Sequence, residues 1–158
     1  SPELEKFLFW CQQLIAESLG KKGKGLMPII SSAPKDHHSA LQLYLDGPKD
    51  KLFHIFSLEE NTKEKIMIKK VSKHTNYLHN KNLFEIRNAQ KEALIKTLKK
   101  NKIPFRELKI KQCDEETLGQ LFSYFILETS IVGKILGINP FDQPAVEQVK
   151  KFTKIILN

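Results

Sequence analysis

Short β-rich apolar runs alternate with longer amphipathic stretches along this chain, and that alternation most restricts its fold. Leu52–Leu58 (LFHIFSL) is nearly continuous apolar, the pattern of a strand covered on both faces of a parallel sheet. Phe105–Lys111 alternates in the manner of a strand near a sheet edge. Met27–Ser31 fits a short strand and Ile66–Val71 an edge strand, whereas residues 72–82 (SKHTNYLHNKN) read as a surface loop. Between these lie the helical patterns. Residues 4–19 repeat Leu4, Phe7, Leu8, Cys11, Leu14, Ile15 and Leu19 at three- and four-residue spacing and stop at Gly20. Asp36–Leu45 is stopped by Gly47-Pro48. Phe84–Lys100 carries a stripe of Ile86, Ala89, Ala93, Leu94, Thr97 and Leu98. Glu115–Leu136 places Leu118, Leu121, Phe122, Phe125, Ile126, Val132 and Leu136 inward, and Gly137 closes it. Pro144 suits the first turn of a last helix that runs to about Ile156 on Val146, Val149, Phe152 and Ile156. The expected fold class is α/β, a three-layer αβα sandwich with a mainly parallel sheet. These strands are few for such a sheet, so the chain reads as part of a larger protein, with apolar surface exposed where the rest docks.

Charge narrows the function. The 158 residues carry a formal net charge of +8, from 24 Lys but only two Arg, Arg87 and Arg106. Base readout and stacking favour Arg interleaved with aromatics, and these lysines are spread from Lys6 to Lys154. A general lysine bias, or a small anionic substrate drawn by positive potential, fits better than a nucleic-acid partner. The most apolar stretch, Leu118–Ile138, is interrupted by Glu128 and Lys134, which argues against a membrane span. Ser1-Pro2-Glu3 lacks the basic and apolar regions of a signal peptide, and with no Met the start reads as a cut inside a longer chain. Cys11 and Cys113 supply neither a disulfide framework nor a zinc site, so no cofactor or metal and a cytoplasmic location are expected; both read as core residues.

Three stretches could carry chemistry. In the first, Gln13 and Glu17 are four apart and share one helix face, at the border of a stripe made mostly by Leu14 and Ile15. Glu17 lies in the last turn, where the negative end of the helix dipole disfavours its charge, the direction a general base needs. Spacing alone favours an exposed Gln and Glu on a solvated face. The second is Asp36-His37-His38-Ser39-Ala40-Leu41-Gln42, whose adjacent histidines diverge by about 100° on a helix and do not share a metal readily. In the third, Gln143 and Lys150 are seven apart, about two turns, and face the same way. Lys150 follows Val149, a core position in this reading, so it is either held semi-buried or snorkels. The Lys21–Gly25 segment (KKGKG) is a flexible basic loop without the Gly-Lys-Ser/Thr of a phosphate-binding loop.

Together these stretches resemble the glucose-6-phosphate isomerase family, within the phosphosugar isomerase (SIS) superfamily. Phe141-Asp142-Gln143-Pro144-Ala145-Val146-Glu147-Gln148-Val149-Lys150 resembles the family's C-terminal signature FDQxGVExxK, with Ala145 where Gly is usual. Glu17-Ser18-Leu19-Gly20-Lys21 resembles its Glu-Ser-x-Gly-Lys motif. His38-Ser39 with Gln42 resembles its Gln-His-Ser stretch, with His37 in place of the Gln. The three stand in the family's order. The resemblance covers nearly the whole chain as the C-terminal SIS-type portion, residues 1–158, with a C-terminal helix over 143–157. It implies interconversion of glucose 6-phosphate and fructose 6-phosphate through a cis-enediol. Glu17 would be the C2–C1 proton carrier, His38 would act at the ring oxygen, Lys150 would stand nearby as a fixed charge, and Gln13 and Gln143 would bind substrate. It also implies a homodimer, an N-terminal SIS domain of the same protein as partner, and no activity in this chain alone, because the family's phosphate loop and active-site arginine lie upstream.

Overall fold

Two strands of the expected α/β architecture, β1 (Phe53–Leu58) and β2 (Phe105–Ile110), pair in parallel, with Phe53 opposite Phe105 and Leu58 opposite Ile110. The structure, a computed structural model, describes residues 4–59 and 67–158. It divides into two compact units, one built on Ser31–Cys113 and the other on residues up to Ile30 together with Asp114–Asn158.

In the first unit, β1 connects to β2 through α4 (Leu83–Lys100). Asn82 caps this helix: its side chain accepts from the Glu85 backbone N–H at 2.7 Å, and the Glu85 carboxylate accepts from the Asn82 N–H at 2.9 Å. The buried side of α4 is Ile95 and Leu98, joined by Ile103 and Ile110. Ile95 lies outside the stripe read from the sequence, and Ala89 and Ala93, which belong to that stripe, are exposed. The Lys91 amine ties α4 to β2 by a 3.2 Å ion pair to Glu107, whose carboxylate also accepts from Ser57 Oγ at 3.1 Å. β1 is half-buried along its length, so only part of the double cover that its composition suggests is present.

Ahead of the sheet, the expected Asp36–Leu45 helix is two short ones, α2 (Lys35–Ser39) and α3 (Leu41–Asp46), broken at Ala40. Asp36 fixes the break from its N-terminal side, accepting from Ser32 N–H at 2.7 Å and from Ser39 Oγ at 3.0 Å. The stretch expected as a surface loop holds a 3-10 helix, Lys73–Leu78, capped reciprocally by Ser72 and Thr75. Ile66, the first residue of the expected edge strand, lies outside the described residues; Met67 makes only an isolated antiparallel bridge to Asn82. Cys113 is exposed rather than core.

In the second unit, α1 (Glu5–Leu19) packs on α5 (Glu115–Ile135). Their seam is aromatic. Phe7 meets the edges of Phe122 and Phe125 at 5.3 and 5.7 Å, and Trp10 meets Phe122 at 4.5 Å. Leu4, Phe7, Cys11, Ser18 and Leu19 are the buried residues of this face, while Leu14 and Ile15 are half-buried. Burial, aided by the Glu128 charge, pushes the Cys11 thiol up to about 12, which keeps it protonated and inert. On α5 the buried row is Leu121, Phe125, Thr129 and Gly133, a strict four-residue repeat; Phe122 and Ile126, expected inward, are at least partly exposed. Met27–Ser31, expected as a short strand, is irregular. The last helix, α6 (Val146–Leu157), starts two residues after Pro144, and Ala145 takes an ordinary right-handed conformation (φ −68°) that accepts its Cβ. The apolar face of α6 is open: Val149 is 67 % and Ile156 81 % exposed.

Candidate active-site carboxylate

The last turn of α1 presents Glu17, half-buried, at the place where the chain leaves the helix. One turn earlier on the same face, Gln13 donates its Nε2 to Glu17 Oε1 at 3.0 Å. From 126 residues away, Gln143 donates its Nε2 to Glu17 Oε2 at 2.9 Å. Each carboxylate oxygen therefore accepts from one neutral amide. A carboxylate offers about four lone-pair positions, so two amides hold its plane while leaving positions free to take and return a proton.

The turn that brings Gln143 here is set by the end of α5. Gly137 takes φ +67°, which favours glycine, and the helix closes with Ile138 N–H on Gly133 C=O and Gly137 N–H on Lys134 C=O, each at 3.0 Å. A side chain at Gly133 would meet Pro140 at 3.0 Å, so the glycine is what lets the following turn lie against the helix. The segment expected as a flexible basic loop fastens this turn from the other side. Lys24 Nζ donates to Leu136 C=O at 2.5 Å, and Lys21 Nζ donates to Asn139 C=O at 2.6 Å. Lys21 also pairs with Asp142 at 3.0 Å. Neither lysine, nor Asp142, stands among the candidate residues, although Lys21 and Asp142 both fall inside the motifs that point to Glu17 and Gln143.

The Lys21 ammonium holds the Asp142 carboxyl below the usual carboxylate range. A depressed carboxylate stabilises the fold above its unfolded pKa of about 3.9, and that contribution disappears as pH falls through the folded value. The expected result is an Asp142 carboxyl titration, followed by carbon NMR, with a midpoint that rises in Lys21→Met.

Lys150 is on α6 in the same unit. Its amine pairs with Glu147 on the same helix at 2.6 Å, with 66 % of its side chain exposed, so it is not semi-buried beside a core Val149. The reason is that the apolar side of α6 is itself open. His38 belongs to the other unit, where it stands in the last turn of the short α2, and His37 beside it is half-buried. Among the described residues there is no cluster of three or more His, Cys, Asp or Glu side chains placed to hold a metal ion, and no helix is long and apolar enough to cross a membrane.

Known proteins match nearly the whole chain. A probable glucose-6-phosphate isomerase of Methanococcus maripaludis is 37 % identical over 148 residues, which is 94 % of this chain and 33 % of the relative. The glucose-6-phosphate isomerase of Campylobacter jejuni is 39 % identical across 100 % of this chain and 40 % of its own length. Across nearly its whole length the chain is similar to part of these glucose-6-phosphate isomerases. It spans only a third to two fifths of the length of these relatives. A crystal structure of a hypothetical protein from Thermus thermophilus superposes with a TM-score of 0.88 at 30 % identity, over 99 % of this chain and 39 % of that one. No protein-family model matches the chain.

Proposed function

We propose that this chain is the C-terminal, SIS-type portion of a glucose-6-phosphate isomerase, residues 1–158, in which Glu17 moves the proton between C2 and C1 of an opened sugar phosphate. The observation that carries the reading is the Glu17 carboxylate held between the amides of Gln13 and Gln143. Gln143 comes from a motif far along the sequence from Gln13 and Glu17, and the fold brings the polar atoms of all three to hydrogen-bonding distance. Glu17 takes the C2 proton, the electron pair left behind forms the C1–C2 double bond and leaves its charge on O1, a proton passes from O2 to O1 by way of the cis-enediol, and as the C2–O2 carbonyl forms the same carboxyl returns its proton to C1. A carboxylate suits this because it accepts and gives back one proton without other chemistry. Gln13 and Gln143 fix the carboxylate and meet substrate hydroxyls, His38 moves the proton at the ring oxygen when the ring opens, and Lys150 supplies positive charge.

The reading places this chain beside an N-terminal SIS domain of the same protein and within a cytoplasmic homodimer. The open apolar residues support it: Leu127, Ile131 and Ile135 on α5 are 62, 59 and 77 % exposed, and Phe152 and Ile156 on α6 are 62 and 81 % exposed. A self-sufficient monomer rarely leaves so much apolar surface to water. The experiment is isomerisation coupled to a dehydrogenase, run on the 158-residue chain and on the longer protein that carries it. Turnover is expected from the longer protein and none from the chain alone. Each missing electrostatic donor to a developing enediolate costs about 10²–10³-fold. Absence of turnover in the longer protein, or full turnover by the chain alone, contradicts the proposal.

A further inference from the structure

We infer that Lys21 is a positioning residue for the Glu17 carboxylate, acting through Asp142 and the turn that carries Gln143. The inference rests on the reading of Glu17 as the proton carrier. Lysine side chains are rarely withdrawn from water, yet only 9 % of this one is exposed. Its ammonium has three protons to place, and the structure gives it two partners on a single turn, the Asn139 carbonyl at 2.6 Å and the Asp142 carboxylate at 3.0 Å.

The chain order makes this contact matter for the carboxylate. Lys21 stands four residues after Glu17, and Asp142 immediately precedes Gln143. Two adjacent ties therefore join the same two distant segments, Lys21 to Asp142 and Glu17 to Gln143. The second is a single hydrogen bond between a neutral amide and a carboxylate, at exposed atoms. Apolar packing does not hold the end of the turn that bears Gln143, since Phe141 is 81 % exposed and residues 141–143 are all at the surface. The charged tie is what keeps the Gln143 amide in reach. Lys24 on Leu136 C=O anchors the start of the same turn, so the basic segment grips it at two points.

If the charge on Lys21 is lost, the turn drifts, the Gln143 amide leaves Glu17, and the carboxylate samples rotamers that no longer face C2. Misplacement of a reacting group by about 1 Å can cost 10²-fold. The test is steady-state isomerisation by the longer protein with Lys21→Met, Lys21→Arg, Gln143→Ala and the double variant Lys21→Met/Gln143→Ala. Lys21→Met is expected to lower kcat by about 10–10²-fold with KM changed less than about threefold, and Lys21→Arg to recover most of the loss. In the Gln143→Ala background Lys21→Met is expected to add no further loss, because both changes break one chain of contacts; a residue that merely stabilises the fold would lower both backgrounds alike. Multiplying losses, or wild-type kcat in Lys21→Met beside an inactive Glu17→Gln, overturns the role of Lys21 and leaves that of Glu17 standing. Wild-type turnover in Glu17→Gln overturns both. Should Lys21→Met fail to fold, Asp142→Asn, at a half-exposed position, reads the same link: a fall in kcat at unchanged melting temperature supports it, and wild-type kcat refutes it.

Discussion

Glu17→Gln in the longer protein is expected to lower kcat by about 10²–10⁴-fold while KM changes much less. The substitution keeps the size of the side chain and one of its two oxygens. It removes the ability to hold the substrate proton, and it replaces one acceptor by an NH₂ that faces the NH₂ of Gln13 or of Gln143. The loss therefore falls on the chemical step rather than on binding. His38→Ala is expected to differ, slowing the closed-ring sugar more than exchange of the C2 proton in substrate supplied already open. Coupled turnover with each sugar form separates the two. Near-normal kcat in Glu17→Gln would make the residue a solvated helix-face carboxylate.

The largest expected effect on stability is at Phe125. Its side chain is 1 % exposed and packs edge-on against Phe7 and Tyr124 at 5.7 and 5.3 Å. Truncation to Ala leaves a cavity at the α1–α5 seam and is expected to cost about 3–5 kcal/mol. Trp10 is the chain's single tryptophan and lies on Phe122 in the same seam, so its fluorescence during urea unfolding reports on this unit directly. Ile135→Ala, on the open side of the same helix at 77 % exposure, is expected to change stability by less than about 0.5 kcal/mol. Equal losses at the two positions would mean that the buried row of α5 has been wrongly drawn.

The long periodic helices and both paired strands are legible in the sequence because each carries many residues of one pattern. α1, α4 and α5 begin and end within a residue or two of where their patterns do. The faces are less readable. On α5 the apolar residues run most of the way round the helix, and the row that is buried includes Thr129 and Gly133, which no hydrophobic stripe would select. Gly133 is there for close approach to Pro140, a reason visible only once the turn is folded back. Short elements escape the pattern where one or two side-chain hydrogen bonds decide the backbone, as at Asp36 for the broken helix and Ser72 with Thr75 for the 3-10 turn. In the site, helical spacing links Gln13 to Glu17, whereas spacing pairs Gln143 with Lys150 on one helix face; the helix begins only at Val146, and Gln143, ahead of it, turns to Glu17 instead. Lys21 and Lys24 look like loop charges because a sequence does not tell where a lysine's ammonium ends; here both end on carbonyls over a hundred residues away.

The most direct test of the account is loss of deuterium from glucose 6-phosphate labelled at C2, followed by proton NMR with the longer protein. Wild type is expected to move the label from C2 to C1 and to release part of it to water, since an exposed-edge carboxyl exchanges its proton between the two transfers. Glu17→Gln, folded and still binding substrate, is expected to leave the label at C2. Label lost at the wild-type rate from the Glu17→Gln protein would contradict the assignment of Glu17 as the group that carries the proton.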